Sequence, residues 1–201
     1  MYASKLVHNN NNWTSVSGLA QTGILVDTNK KNSYYFGLEE WINNSILRKM
    51  KVGYIDSYRA FHRTDVVDRI ILFSFNPTNR QVYYVGNLYK VRQLANEEIN
   101  PLKTMLNQNW LGEVQNGFHN IGDNRPIQNH IEYMGCWDSN NIVAETRQSF
   151  ILNIRYEKIK LFPKKDWVNL TELIPEINSQ WKRLIHRFNV SPDLEQYFIT
   201  E

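Results

Sequence analysis

The rhythm of apolar positions along this chain changes near Leu94. Before that point the period is two, or the apolar run is continuous. Residues 52–58 (Val-Gly-Tyr-Ile-Asp-Ser-Tyr) alternate as a half-buried strand does, and 69–75 (Arg-Ile-Ile-Leu-Phe-Ser-Phe) form an apolar run of strand length. Pro77 stands among Asn76, Thr78, Asn79 and Arg80, which supplies turn chemistry, so residues 82–91 are expected to return as the second arm of a hairpin. Gly86 falls midway along that arm and predicts a bulge or a sharp bend.

Beyond Leu94 the apolar spacing lengthens toward a helical period, through Ile99, Leu102, Met105, Leu106, Trp110 and Val114. Pro101 then belongs in a first turn or opens a new helix. Residues 116–129 are rich in Gly and Asn and include Pro126, which predicts a long loop. Residues 149–156 read as a strand, with 159–162 continuing it or pairing with it. After Pro175, the positions Ile177, Trp181, Leu184, Ile185 and Phe188 form one stripe of a closing helix. Strands joined by hairpins, with helices apart from them and no βαβ alternation, give an α+β fold. The expected closure is a curled, mostly antiparallel β-barrel with flanking helices. A single domain over 1–201 follows, in which 9–94 form the barrel segment with a pocket and 95–201 add the helices, the long loop and the closing strands.

Composition narrows this picture. A chain of 201 residues, 42% apolar and 21% charged, is long enough to bury one sizeable core. The aromatic share of 13% is high, and a β-rich core accounts for most of it. A net charge of +3 and a pI near 8.9 leave room for only a few local phosphate contacts. Cys136 is the only cysteine, so no intrachain disulfide forms and no cysteine-only zinc site fits within one chain. No apolar run is long enough for a membrane span and the opening residues lack a secretory core, so a cytoplasmic protein without membrane contact is expected.

Catalytic templates are missing from the sequence. There is no phosphate-binding P-loop, dinucleotide fingerprint, metalloprotease histidine pair or serine elbow. His119, His130 and Cys136 match no standard zinc spacing, and no metal or cofactor is expected. Glu39 and Glu40 are adjacent and diverge on any regular element, which makes them a poor acid and base pair. Either one alone could still serve as the base of a nuclease or nucleotide-acting enzyme.

The constellation for binding is richer. Residues 9–18 (Asn-Asn-Asn-Asn-Trp-Thr-Ser-Val-Ser-Gly) and 34–41 (Tyr-Tyr-Phe-Gly-Leu-Glu-Glu-Trp) bring tryptophans beside hydroxyl, amide and carboxylate groups. Trp13 and Trp41 are candidate stacking faces for a base taken out of its stack. Ser15, Ser17 and the Gly18 backbone are candidate donors to its edge, with Glu40, Tyr54 and Tyr58 completing the pocket. Arg59, Arg63, Lys90 and Arg92 are candidate phosphate contacts. The competing explanation for each is ordinary: a core aromatic, or an outward-facing strand residue.

The segments Trp-Thr-x-x-Ser-Gly at 13–18, Phe-Gly-x-Glu-Glu-Trp at 36–41 and the Tyr-Val-Gly turn at 84–86 resemble the modified-base reader domains of the PUA superfamily, related to EVE and YTH modules. The resemblance covers roughly 9–94. It implies a curled β-barrel and an aromatic cage for a methylated or otherwise modified base, with Trp13 and Trp41 as cage residues and Ser15, Ser17 and Gly18 as the adjoining loop. It also implies a non-catalytic partner of nucleic acid, double-stranded DNA carrying a modified base, fused or bound to a nuclease or nucleoside-triphosphatase subunit of a restriction system. RNA reading by the same fold is the nearest alternative. An enzyme acting through Glu39 or Glu40, and a protein-interaction or toxin-like domain with aromatics in its core, are the more distant ones.

Overall fold

A computed structural model describes residues 2–17, 24–25, 35–36, 38–55, 66–95, 97–98, 101–102, 105, 109–121, 152–173, 188–189 and 198. The described strands are β1 (Tyr2–Leu6), β2 (Ile24–Leu25), β3 (Tyr35–Phe36), β4 (Val52–Gly53), β5 (Val67–Asn76), β6 (Gln81–Gln93), β7 (Ile154–Arg155), β8 (Lys158–Leu161), β9 (Val168–Asn169) and β10 (Phe188–Asn189). The helices are α1 (Ser45–Met50), α2 (Leu111–Asn120) and α3 (Leu170–Leu173). The fold is mixed α+β with a mostly antiparallel sheet. Two compact units are distinguished, one from Met1–His8, Ile55–Gln93 and Ile154–Glu201, the other from Asn9–Tyr54 and Leu94–Asn153.

The first unit is built on the β5–β6 hairpin. Its arms pair antiparallel from Val67 with Val91 to Asn76 with Gln81, around a turn in which the Asn76 and Asn79 side chains accept the backbone N–H of Thr78 and Gln81. Opposite Leu72 and Phe73 the register slips, pairing Leu72 with Gly86 and Phe73 with Tyr84, so Val85 is the extra residue of a bulge. A Cβ on Gly86 would stand 2.2 Å from the Lys160 carbonyl oxygen, and only glycine lets β8 approach so closely. β1 joins β5 in parallel and β10 joins β1 antiparallel. β9, β8 and β7 follow one another along the other edge of β6. No pairing closes this sheet among the described residues.

One face of the hairpin carries a buried cluster of Ala3, Ile71, Phe73, Val82, Tyr84 and Phe162, joined by Leu170 and Phe198. Beyond it the same face turns polar. Arg69 Nε donates to Asn87 Oδ1 at 3.1 Å, and Asn87 Nδ2 donates to the Tyr84 hydroxyl at 2.7 Å, so the three side chains form a buried chain of hydrogen bonds. Burial raises the Tyr84 phenol above its ordinary value of 10.0, against the opposing pull of Asn87 and Arg69.

The second unit packs around tryptophans. Trp41, at the end of the 3-10 turn Leu38–Trp41, meets Trp110 edge-on at 6.1 Å and Phe118 at 5.8 Å between ring centres. Asn44 caps α1 by accepting the Ile46 and Leu47 N–H groups, Arg48 and Lys49 fall in its last turn, and Lys51 closes it in the left-handed conformation at φ 57°. α2 extends the end of the expected helical run, Trp110 and Val114, through 116–120, which were expected to be loop. Trp110, Val114 and Phe118, four residues apart, bury one face of it, and that burial outweighs the weak helix preference of Asn116 and Gly117.

Other expectations also change. The strand expected over 52–58 is present only as β4; Tyr54 and Ile55 follow it outside any strand, and 56–58 lie outside the described residues. Among the described residues of 149–156, which are 152–156, only β7 is strand, and 149–151 lie outside the described residues; Lys158–Leu161 pairs with β6, which offers it a continuous edge. Phe188 belongs to β10 and not to a helical stripe; the rest of that expected helix lies outside the described residues. No helix among the described residues is long and apolar enough to cross a membrane.

Candidate functional site

The second unit holds a cleft of about 730 Å³. Its walls come from the loop 9–17, the start of α1 and the exposed face of α2.

The loop is a strained turn held from two sides, by Asn9 and Asn43. Asn12 and Trp13 both adopt left-handed backbone angles, at φ 60° and 57°. For a residue as bulky as Trp this costs roughly 1–2 kcal/mol, and such strain persists where neighbouring contacts over-determine it. Asn9 supplies those contacts. Its Oδ1 accepts the N–H of Asn11 at 2.9 Å and of Trp13 at 3.0 Å, while its Nδ2 donates to the Ser15 carbonyl at 2.9 Å and to Glu40 Oε1 at 3.0 Å. From the other side, Asn43 donates its N–H to the Trp13 carbonyl and its Nδ2 to that of Asn12, both at 2.8 Å.

Glu40 ties the same loop to the 3-10 turn. Besides Asn9, its Oε1 accepts the Ser17 N–H at 2.9 Å and the Ser17 hydroxyl at 2.7 Å, and the residue is wholly buried. A carboxylate oxygen so enclosed is an anchor; it offers a solvent-borne substrate no lone pair to use as a base.

The turn sends Trp13 inward and Thr14 and Ser15 outward. Trp13 is 0% exposed and Trp41 is 1% exposed, so both expected stacking faces are core surfaces in this structure. Burying large aromatic area is favourable enough that a core position prevails over display. What faces the cleft is polar. Ser15 and Gly117 meet across it closely, since a Cβ on Gly117 would stand 3.2 Å from the Ser15 Cβ. Asn116 and Asn120 are exposed one helical turn apart, Arg48 and Lys49 bring positive charge, and Glu113 brings one carboxylate. Arg48 Nη1 donates to Asn43 Oδ1 at 3.2 Å, which fixes the guanidinium along the wall.

Of the expected pocket, Trp13, Ser15, Ser17, Glu40 and Trp41 do come together, as a strained loop and its anchor. Tyr54 is half-buried in the same unit, just after β4. Gly18, Tyr58, Arg59 and Arg63 lie outside the described residues. Lys90 and Arg92 belong to the other unit, where Lys90 pairs with Asp68 and Arg92 Nη1 donates to the Gln93 carbonyl at 3.0 Å. The Lys90 partner holds the Asp68 carboxyl below its ordinary value, and Asp68 in turn raises the lysine. Neither cation shares the cleft. The residues that sequence reasoning missed include Asn9, Asn43, Arg48, Lys49, Asn116 and Asn120. A cap signal was available: Asn44-Ser45 before Ile46-Leu47, with basic residues one turn later.

No group of histidine, cysteine and carboxylate side chains among the described residues is arranged to hold a metal ion. No family model, curated protein or solved structure matches the chain.

Proposed function

We propose that this protein is a non-catalytic nucleic-acid reader that accepts a modified base, extruded from duplex DNA, in the cleft beside the loop 9–17. The observation that carries the reading is the strained, multiply bonded turn at Asn12 and Trp13, which costs stability and turns Ser15 into a cleft of ligand size. Ser15 and the paired amides of Asn116 and Asn120 supply hydroxyl and amide groups of the kind that read base edges. Arg48 and Lys49 supply charge for the flanking phosphates. Trp13 and Trp41 act beneath the cleft as positioning residues, and Glu40 as the anchor of the loop. On this reading the sheet of the other unit curls as in the barrel of PUA-superfamily readers, the bulge at Gly86 providing the bend.

The test is fluorescence anisotropy with labelled duplexes that carry or lack one methylated base, matched by RNA of the same sequence. Wild-type protein is expected to prefer the modified duplex. Asn116→Ala with Ser15→Ala should remove most of that preference, a change of about tenfold for an edge contact worth roughly 1–3 kcal/mol. Arg48→Gln should weaken modified and plain duplexes alike. Equal binding of modified and plain forms by wild-type protein ends the reading, and loss of the probe with added divalent metal moves the assignment to an enzyme.

A further inference from the structure

The geometry points to a buried oxyanion site in the first unit, in which the Arg69 guanidinium and the Tyr84 hydroxyl, both bonded to the Asn87 amide, take one small phosphate or carboxylate group. It stands apart from the cleft of the second unit and does not depend on the base-reading assignment.

The three side chains share one face of the β5–β6 hairpin, since Arg69 lies opposite Tyr89, Ile71 opposite Asn87 and Phe73 opposite Tyr84. Their hydrogen bonds leave donors over and no acceptor. Arginine can only donate, so the Asn87 amide must turn its Oδ1 toward Arg69 Nε and its Nδ2 toward the Tyr84 hydroxyl. The Tyr84 oxygen thus accepts, and its own O–H proton meets no acceptor among the described residues. Burial keeps that phenol protonated at neutral pH. On the other side of Asn87, Arg69 Nη2 is shut off from solvent and has no hydrogen-bond partner. Tyr84 and Asn87 are 0% and 1% exposed, and the Tyr84 ring packs edge-on against Phe162 at 5.0 Å and Phe198 at 5.2 Å. Two spare donors beside one amide, in apolar surroundings, call for a group that only accepts.

The charge leads to the same group. No carboxylate of the described residues pairs with Arg69. Asp68, the residue before it, is directed to the opposite face, where Lys90 takes it. Lys158 and Lys160, beside Tyr89 and Asn87 on β8, add positive charge to the face, but their ammonium groups already engage the Tyr89 and Phe162 rings. The donor pair is therefore Arg69 and Tyr84 alone. A guanidinium partly withdrawn from water without a counter-charge is costly. A water molecule accepts both protons and leaves that charge uncompensated, whereas an oxyanion accepts both and neutralises it.

The test is calorimetric titration of the full chain, dialysed into a chloride buffer, with inorganic phosphate and separately with acetate at constant ionic strength. Wild type, R69M and Y84F are compared after circular dichroism and a cooperative melt confirm that each is folded. The expected result is saturable binding of one anion per chain by wild type. Each variant should weaken it by about tenfold or more, as loss of a hydrogen bond to a charged group requires. Melts across the same anion concentrations separate the site from general salt effects: wild type should gain melting temperature as the site fills, and the variants should not. Tighter binding of phosphate assigns a tetrahedral oxyanion, and tighter binding of acetate assigns a carboxylate. Absence of saturable binding of either anion by wild type overturns the site and leaves water between the donors. Affinity unchanged in either variant also overturns it, and Y84F decides by itself if R69M does not fold.

Discussion

Glu40 shows how much a single residue organises here. One of its carboxylate oxygens collects donors from Asn9 and twice from Ser17, with no exposure to solvent. Replacing it by alanine would orphan those donors inside the unit, each at a cost of roughly 1–3 kcal/mol when buried. Glu40→Ala is therefore expected to lower unfolding free energy by about 3 kcal/mol or more, read from a shift in urea midpoint at constant slope. Wild-type stability in that variant would mean the anchor is dispensable. The role of this residue was half legible in the sequence. Its closeness to Trp41 and to the serines of the loop marked it as part of one constellation. That it is enclosed could not be read there, because closure depends on Asn9 folding back across a left-handed turn, and neither the turn nor the partner is encoded in local spacing. For the same reason Trp13 and Trp41 read equally well as displayed or as buried, and only the packing of Trp110 and Phe118 on Trp41 decides for burial there.

Among the elements, the β5–β6 hairpin was the most legible, since a strand-length apolar run, a proline turn and an alternating return all pointed one way. Gly86 was legible as an interruption, and the structure gives its cause in the Lys160 carbonyl and the neighbouring bulge. Gly86→Ala should force β8 off β6, because the contact is with backbone and cannot be relieved by a rotamer change. A loss of several kcal/mol or failure to fold is expected, measured by thermal unfolding. Tolerance of alanine there would mean that β8 is not held in this register. α2 was legible only in its first half, where Trp110 and Val114 continue a helical period; the Asn and Gly content from Asn116 on argues for loop, and the burial of Phe118 beside Trp110 and Val114 carries the helix through it.

At the scale of the whole molecule, pH reaches stability through His8. Burial, helped by the charge of Lys164, lowers its imidazole below the ordinary 6.5, and its ring packs edge-on to Trp167 at 6.4 Å. The folded protein therefore disfavours the charged imidazole of His8. As pH falls below 6.5 the unfolded chain takes up a proton that the folded one refuses, so stability drops until the folded value is passed. His8→Gln should flatten this part of the profile of melting temperature against pH, and an unchanged profile would assign the acid sensitivity to other groups. The two units carry a different consequence in the way the chain threads them. It leaves one for the other after His8, returns after Tyr54, leaves again after Gln93 and returns after Asn153. During synthesis, β1 emerges first but its parallel partner β5 and its outer neighbour β10 follow only much later, with the second unit's residues between. Closing such loops costs entropy before any contact repays it, which slows folding. The second unit has all its residues once Asn153 has left the ribosome, whereas the first waits for β10. A nascent chain halted between those points would hold every residue of the cleft while the sheet of the first unit is unfinished, exposing strand edges that invite chaperones or aggregation.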